Sequence, residues 1–148
     1  MKSFKAWAKK NRELCIDLLR IYLGVLFVVK GSYFGLNREE LLDFLREADL
    51  SGLAYFDASE LLIVHYAILV HISGGVMLML GLMTRIAAAI QIPAVLGAAV
   101  LVHAGQPIFG QSLGLEYMIL LFFVLLLFVV YGSGPLSIDS FLQKKGSR

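Results

Sequence analysis

The sequence predicts an all-α, polytopic membrane protein: a bundle of four transmembrane helices with a short amphipathic helix in the first outer loop. Of its 148 residues, 59% are hydrophobic and only 16% are charged, whereas about 25% of the residues of a soluble domain are charged. The apolar residues form four long blocks, and a soluble fold of this length could not bury so much apolar surface. This composition excludes a free cytosolic enzyme, a disordered chain and a nucleic-acid-binding protein.

Each apolar block is long enough to cross a bilayer, which takes about 20 apolar residues in a helix. None has the two-residue alternation of a membrane-spanning strand, so helices are predicted. The predicted spans are residues 14–34, 61–83, 86–104 and 115–131 of a single domain that covers residues 1–148. Only Thr84 and Arg85 separate the second span from the third, which predicts a tight antiparallel hairpin. Pro93 is expected to kink the third span.

The distribution of Lys and Arg predicts that both termini are cytoplasmic, because cytoplasmic loops are enriched in these residues. One side of the predicted membrane carries Lys2, Lys5, Lys9, Lys10, Arg12, Arg85, Lys144, Lys145 and Arg148. The opposite side carries only Arg38 and Arg46. An even number of spans also places the two termini on the same side.

The first outer loop contains a predicted amphipathic helix over Arg38–Ala48, whose leucine residues fall on one face. Asn37 is expected to be its N-cap, and Glu40 completes a capping-box pattern. We expect this helix to lie on the outer membrane surface or to cap the bundle.

Two ionisable residues, Asp17 and Arg20, lie three positions apart near the cytoplasmic end of the first span. A charged side chain at bilayer depth costs about 2.5–3.5 kcal/mol on insertion scales. At this spacing the two side chains can pair on one helix face. We expect a structural ion pair that holds the bundle together.

A second set of polar residues is predicted to meet near the outer leaflet. Lys30, His65, His103 and Glu116 fall close to the outer ends of their spans, and His71 lies deeper, near the middle of the membrane. Because they come from all four spans, they predict a polar pocket. Individual alternatives remain open: Lys30 can extend to the interface, the outer histidines can be interfacial, and Glu116 can interact with a helix N-terminus.

Several chemistries fit such a pocket. A histidine near a carboxylate or a tyrosine can hydrogen-bond a quinone carbonyl and transfer a proton. Haem ligation by His71 and His103 is disfavoured because their depths differ by several residues. No metal site is predicted, since neither cysteine partners nor an HxxxH spacing is present. The single cysteine, Cys15, cannot form an internal disulfide.

The sequence resembles the DoxX family of small four-helix bacterial membrane proteins. The resemblance runs from about Asp17 to Leu142 and is carried by the segments LLRIYLGVLFVVKG, HISGGVMLMLGLMTR and YGSGPLSIDSFL. Its most specific parts are Gly81–Arg85 and Gly132–Asp139. The latter is a helix stop followed by a short interfacial helix capped by Ser137.

The resemblance implies a bundle in the bacterial inner membrane with a loose redox association. Family members are similar to the membrane subunit of thiosulfate:quinone oxidoreductase, and others are linked to thiol and oxidative-stress systems. This chain departs from the family pattern at two points. It has His71 where a glutamate is frequent, and Lys30 precedes Gly31 where a lysine usually follows the glycine.

Three functional interpretations remain open on the sequence. The first is an accessory subunit that binds quinone while a membrane or soluble redox partner supplies the redox centre. The second is a non-catalytic scaffold or assembly subunit, because no complete catalytic set is present. The third is a small-molecule carrier, which four short spans could form only as a homo-oligomer. The lipid bilayer is the common partner of all three, and no cofactor is required by the sequence itself.

Overall fold

Every regular element in the described part of the chain is an α-helix. The structure, a computed structural model, describes residues 2–47, 59–103 and 114–146, and these ranges contain no strand. The helices are α1 (Lys2–Leu36), α2 (Arg38–Glu47), α3 (Ser59–Leu80), α4 (Thr84–His103), α5 (Gly114–Tyr131) and α6 (Ile138–Gly146). The predicted all-α fold is therefore confirmed for these ranges.

Two helical segments in these ranges are long and apolar enough to cross a membrane, Leu61–Leu80 with a mean hydropathy of 2.0 and Gly114–Tyr131 with 2.4. Thr84–Val100 is a shorter apolar helix. Large apolar side chains on the outward faces are exposed, among them Leu69 in α3 and Phe123 in α5. Exposed apolar surface of this extent is unfavourable in water and favourable in lipid.

The helices pack as two pairs, α1 against α3 and α4 against α5, and the contact of α3 with α4 joins the pairs. Glycines bring α1 and α3 together: a Cβ atom added to Gly24 would lie 2.5 Å from the Met79 nitrogen. A Cβ added to Gly75 would lie 2.9 Å from the Gly24 carbonyl oxygen. The backbones are thus in direct contact, as small residues permit in membrane bundles.

The core lies between the two pairs. Its buried members are Leu23, Phe27, Leu78, Ala87, Ala88, Val95, Leu121, Leu125 and Phe128. Because these residues come from α1, α3, α4 and α5, the four long helices share one apolar core.

The α3–α4 connection is short, as the sequence predicts, but it consists of residues 81–83 rather than Thr84 and Arg85, because α3 ends at Leu80 and α4 begins at Thr84. Gly81 has a φ angle of +67° and Met83 one of +46°, and these left-handed conformations terminate the helix. The start of the first helix differs more from the prediction, because α1 begins at Lys2 and the predicted span begins at residue 14. Helix α4 continues through Pro93.

The amphipathic helix predicted for the first loop is present as α2, with Leu42 buried against Val64 of α3. Asn37 takes the expected N-cap position directly before α2, and its carbonyl oxygen accepts the Leu41 N–H at 3.2 Å. Its side chain binds α1 rather than α2: Nδ2 and the backbone N–H both donate to the Tyr33 carbonyl oxygen, at 2.9 Å each. Asn37 alone joins the two helices, so it also pairs one of the last carbonyl groups of α1.

Candidate functional site

A cavity of about 500 Å³ lies between the two helix pairs and beneath α2. Pockets that bind small molecules have volumes of about 300–1,000 Å³, so this size is sufficient for a ring-sized ligand. Its polar lining residues are Lys30, Tyr66, His71 and Tyr117. Its apolar wall includes Leu26, Phe27, Phe34, Leu41, Ile63, Val64, Val95, Met118 and Leu121. We call it the His71 cavity.

His71 is the most enclosed polar residue of this cavity, with 8% of its surface exposed. Its Nδ1 lies 2.8 Å from the Ala67 carbonyl oxygen, one turn earlier in α3. The ring also makes edge-to-face contacts with Phe27 and Phe34, at centroid distances of 5.3 and 5.5 Å. These contacts fix the ring from α1, so the orientation of His71 is set by two helices.

The approach of α1 to His71 depends on Gly31. A Cβ atom added to Gly31 would lie 2.9 Å from the Cβ of His71 and 2.7 Å from Cγ1 of Ile72. On the opposite wall, a Cβ added to Gly97 would have no neighbour within 4 Å. One glycine therefore permits close packing, and the other leaves cavity space unfilled.

The tyrosines and Lys30 complete the polar lining. The Tyr66 hydroxyl of α3 donates to the Ile90 carbonyl oxygen of α4 at 3.1 Å. Ile90 lies three residues before Pro93, in the turn of α4 whose backbone hydrogen bonding the proline interrupts. Tyr66 thus supports α4 at its proline. Lys30 is exposed at the cavity margin.

The structure brings together two of the site residues that the sequence singles out, Lys30 and His71. His65 is exposed, its Nδ1 lies 2.7 Å from the Leu61 carbonyl oxygen, and it does not line the cavity. Glu116 is half-buried in the first turn of α5 and is not part of the lining either. His103 ends α4, and its side chain lies outside the described residues.

A second polar group, the Arg20 cluster, occupies the opposite end of the bundle and consists of Asp17, Arg20, Asp139 and the backbone they bind. Arg20 Nη2 lies 3.1 Å from Asp17 Oδ1, so the expected pair is present, and both side chains are fully buried. Arg20 Nη1 donates to the Leu78 carbonyl oxygen at 2.7 Å. Arg20 Nη2 also donates to the Leu136 carbonyl oxygen at 2.9 Å.

The carboxylates of this cluster hold the chain after α5. The Leu136 N–H donates to Asp17 Oδ2 at 2.9 Å. Asp139 accepts the backbone N–H groups of Met83 and Thr84 at 2.8 and 3.1 Å, and its own N–H donates to the Gly81 carbonyl oxygen at 3.1 Å. The cluster therefore ties α1, the α3–α4 turn and the start of α6 together. Every one of these contacts is structural, which makes the His71 cavity the better candidate site.

Sequence reasoning missed the contacts of two polar residues, the buried Gln91 and the half-buried Asp139. Gln91 of α4 is fully buried, donates from Nε2 to the Val70 carbonyl oxygen at 3.1 Å and packs on Gly74. A lone amide within an apolar span was the available signal. Asp139 acts across a sequence separation of 55–56 residues, which no local pattern indicates. Among the described residues, no group of three or more His, Cys, Asp or Glu side chains is arranged to hold a metal ion.

A family model described as DoxX matches residues 15–104. Neither a search of curated proteins nor a search of solved structures returned a match. The matched segment contains Lys30 and His71, whereas α5 and the Gly132–Asp139 segment lie outside it. Because this match spans more than half of the chain and its helices carry the apolar surface that a bilayer requires, the chain is a membrane protein that belongs to the DoxX family.

Proposed function

We propose that this chain is a four-span subunit of the bacterial inner membrane that binds a quinone in the His71 cavity and serves a partner redox protein. The observation that carries the proposal is a mainly apolar cavity of about 500 Å³ with an enclosed histidine and a lysine at its margin. An apolar wall with few polar groups is typical of sites for small lipophilic molecules.

The polar groups suit the two ends of a quinone ring chemically. The ammonium group of Lys30 can donate to a quinone oxygen, and the His71 ring can accept a hydrogen bond or a proton from the other oxygen when that oxygen is reduced to a hydroxyl. The apolar side chains of Phe27, Phe34 and Leu121 offer contact to the ring and its substituents. Cys15 is a lone exposed cysteine, so the electrons must be exchanged with a partner protein.

The membrane arrangement proposed for this function has spans in α1, α3, α4 and α5, with both termini cytoplasmic. It is supported by the shared core of these helices and by the Lys and Arg distribution. Reporter fusions test it. Alkaline phosphatase inserted after Gly110 should be active, and at the C-terminus it should be inactive. The opposite pattern would overturn the orientation, and equal activity at the two positions would show that α5 does not cross the membrane.

Quinone binding is tested on the purified protein in lipid nanodiscs by calorimetric titration with tetramethylbenzoquinone. Wild-type protein should bind saturably. Gly97→Leu should abolish binding because the new side chain occupies cavity space without a clash. In a parallel titration with tetramethylhydroquinone, His71→Phe should weaken binding about tenfold, the value of one hydrogen bond.

Two variants serve as matched controls. Ala89→Leu adds a comparable volume to an exposed position of the same helix, α4. His65→Phe removes the exposed histidine of α3, which has the same backbone hydrogen bond as His71. Both should bind as wild type does. Absence of binding by wild-type protein, or equal binding by Gly97→Leu, would contradict the proposal. A stoichiometric membrane partner that persists in mild detergent would then favour the scaffold interpretation.

A further inference from the structure

We infer that the His71 cavity binds the reduced, hydroxyl-bearing form of its quinone more tightly than the oxidised form. This inference rests on the proposed function and adds a preference between redox states. It follows from the hydrogen bond between His71 Nδ1 and the Ala67 carbonyl oxygen, 2.8 Å long. A carbonyl oxygen can only accept, so Nδ1 must carry the hydrogen.

The tautomer determines what the cavity offers to a ligand. In a neutral imidazole with hydrogen on Nδ1, the other nitrogen, Nε2, is a hydrogen-bond acceptor. Within the described part of the chain, the Ala67 carbonyl is the one hydrogen-bond partner of the His71 side chain. Nε2 therefore has no partner in the protein, and it is not fully enclosed. Since the ring lines the cavity, Nε2 is the acceptor that a ligand meets there.

The ring cannot readily exchange the two nitrogens. Phe27 and Phe34 contact it edge to face, with interplanar angles of 79° and 72°. Rotation by half a turn would place a carbon atom against the Ala67 carbonyl oxygen and lose that hydrogen bond in an enclosed position. The Ala67 carbonyl would keep its helical partner, but the enclosed Nδ1–H would lose its acceptor, which is unfavourable. The structure therefore holds Nε2 in the acceptor role.

Lys30 and Tyr117 do not select a redox state. The Lys30 ammonium group donates, and both a quinone carbonyl and a hydroquinone hydroxyl oxygen accept. The Tyr117 hydroxyl can donate or accept. The Tyr66 hydroxyl donates to Ile90, so towards a ligand it is an acceptor with the same preference as Nε2, but it is exposed. His71 is the enclosed group that discriminates, because a hydroquinone hydroxyl can donate to Nε2, whereas a quinone carbonyl would face it lone pair to lone pair.

The experiment compares the Kd values of tetramethylhydroquinone, kept reduced under argon, and tetramethylbenzoquinone for the same nanodisc preparation. Wild-type protein should bind the hydroquinone about tenfold more tightly, as expected for one hydrogen bond gained. For a two-electron couple this ratio raises the midpoint potential of the bound quinone by about 30 mV, which a redox titration measures independently.

Variants locate the preference. His71→Gln presents both a donor and an acceptor and should lower the affinity ratio towards one, and His71→Phe should do the same by weakening the binding of the hydroquinone. His65→Phe should keep the wild-type ratio. Equal binding of the two forms by wild-type protein, or tighter binding of the quinone, would overturn the inference and leave the proposed function standing. Failure of both forms to bind would instead reject the proposed function.

Discussion

Arg20 and His71 are both enclosed polar side chains, but their surroundings differ. Arg20 is fully buried, and its two terminal nitrogens bind Asp17 and the carbonyl oxygens of Leu78, Met79 and Leu136. Its Nε alone lacks a partner among the described residues. His71 uses one nitrogen on its own helix and presents the other to a cavity.

This difference indicates that the Arg20 cluster stabilises the bundle, whereas the His71 cavity offers its polar groups to a ligand. The Arg20 cluster joins segments that are far apart in sequence, and its groups are occupied by the protein itself. One glycine, two alanines and a proline in the α4 wall of the His71 cavity leave space, and the polar groups of the cavity retain hydrogen-bonding capacity. Substitutions in the cluster should therefore affect stability, and substitutions in the cavity should affect binding.

The largest effect is expected for Arg20→Leu. It leaves the Asp17 carboxylate buried without its cation and removes the hydrogen bond to Leu136. Breaking a buried ion pair costs about 3–5 kcal/mol in the free energy of unfolding. Reversible denaturation in detergent, followed by circular dichroism, measures it. The exposed Arg38–Glu39 pair is the control, and Arg38→Leu should cost less than about 1 kcal/mol. Similar losses for both variants would contradict the comparison.

Gly24→Ala should be next. The added methyl group would lie 2.7 Å from the Gly75 carbonyl oxygen and 2.5 Å from the Met79 nitrogen, both backbone atoms, so α1 must move away from α3. Overpacking of this kind costs about 1–3 kcal/mol. The same assay measures it. Gly35→Ala is the matched control on α1, because its nearest neighbour would be Ile68 Cγ2 at 3.8 Å. A tolerated Gly24→Ala would mean that the two helices are less closely packed.

Asp139→Ala should destabilise less, by about 1–2 kcal/mol, the usual value of a lost helix cap. Its carboxylate accepts the N–H groups of Met83 and Thr84 at the start of α4. Amide hydrogen exchange should rise at these two positions and remain unchanged in the middle of α4. Uniformly faster exchange along α4 would show that Asp139 supports the whole bundle rather than this helix end.

The smallest effect on stability is expected for Gly97→Leu in the cavity. Its side chain meets no atom within 4 Å at the Cβ position, and leucine favours a helix over glycine by up to about 1 kcal/mol. The free energy of unfolding should be unchanged or slightly higher, while quinone binding is lost. Destabilisation of Gly97→Leu by more than Gly24→Ala would show that the cavity wall is tightly packed.

The sequence predicts the helices well because long apolar blocks leave few alternatives. The amphipathic α2 and the pairing of Asp17 with Arg20 also follow from helical spacing. The set of residues that line the cavity was harder to predict from the sequence. His65 and His71 point about 120° apart on a helix with about 100° per residue, so they could not both face one pocket. That argument was accessible from the sequence, whereas the rotation of α3 against α1 depends on the Gly24 and Gly75 contact.

The hydrogen bonds of Asp17 and Arg20 with the Leu136 backbone have a consequence for biosynthesis. A ribosome delivers Asp17 and Arg20 long before residue 136, so during synthesis of the intervening helices the two side chains have only each other and the α3 carbonyl groups as partners. The hydrogen bonds to the Leu136 backbone can form only after that residue has been synthesised. Closure of this end of the bundle therefore follows the insertion of α5.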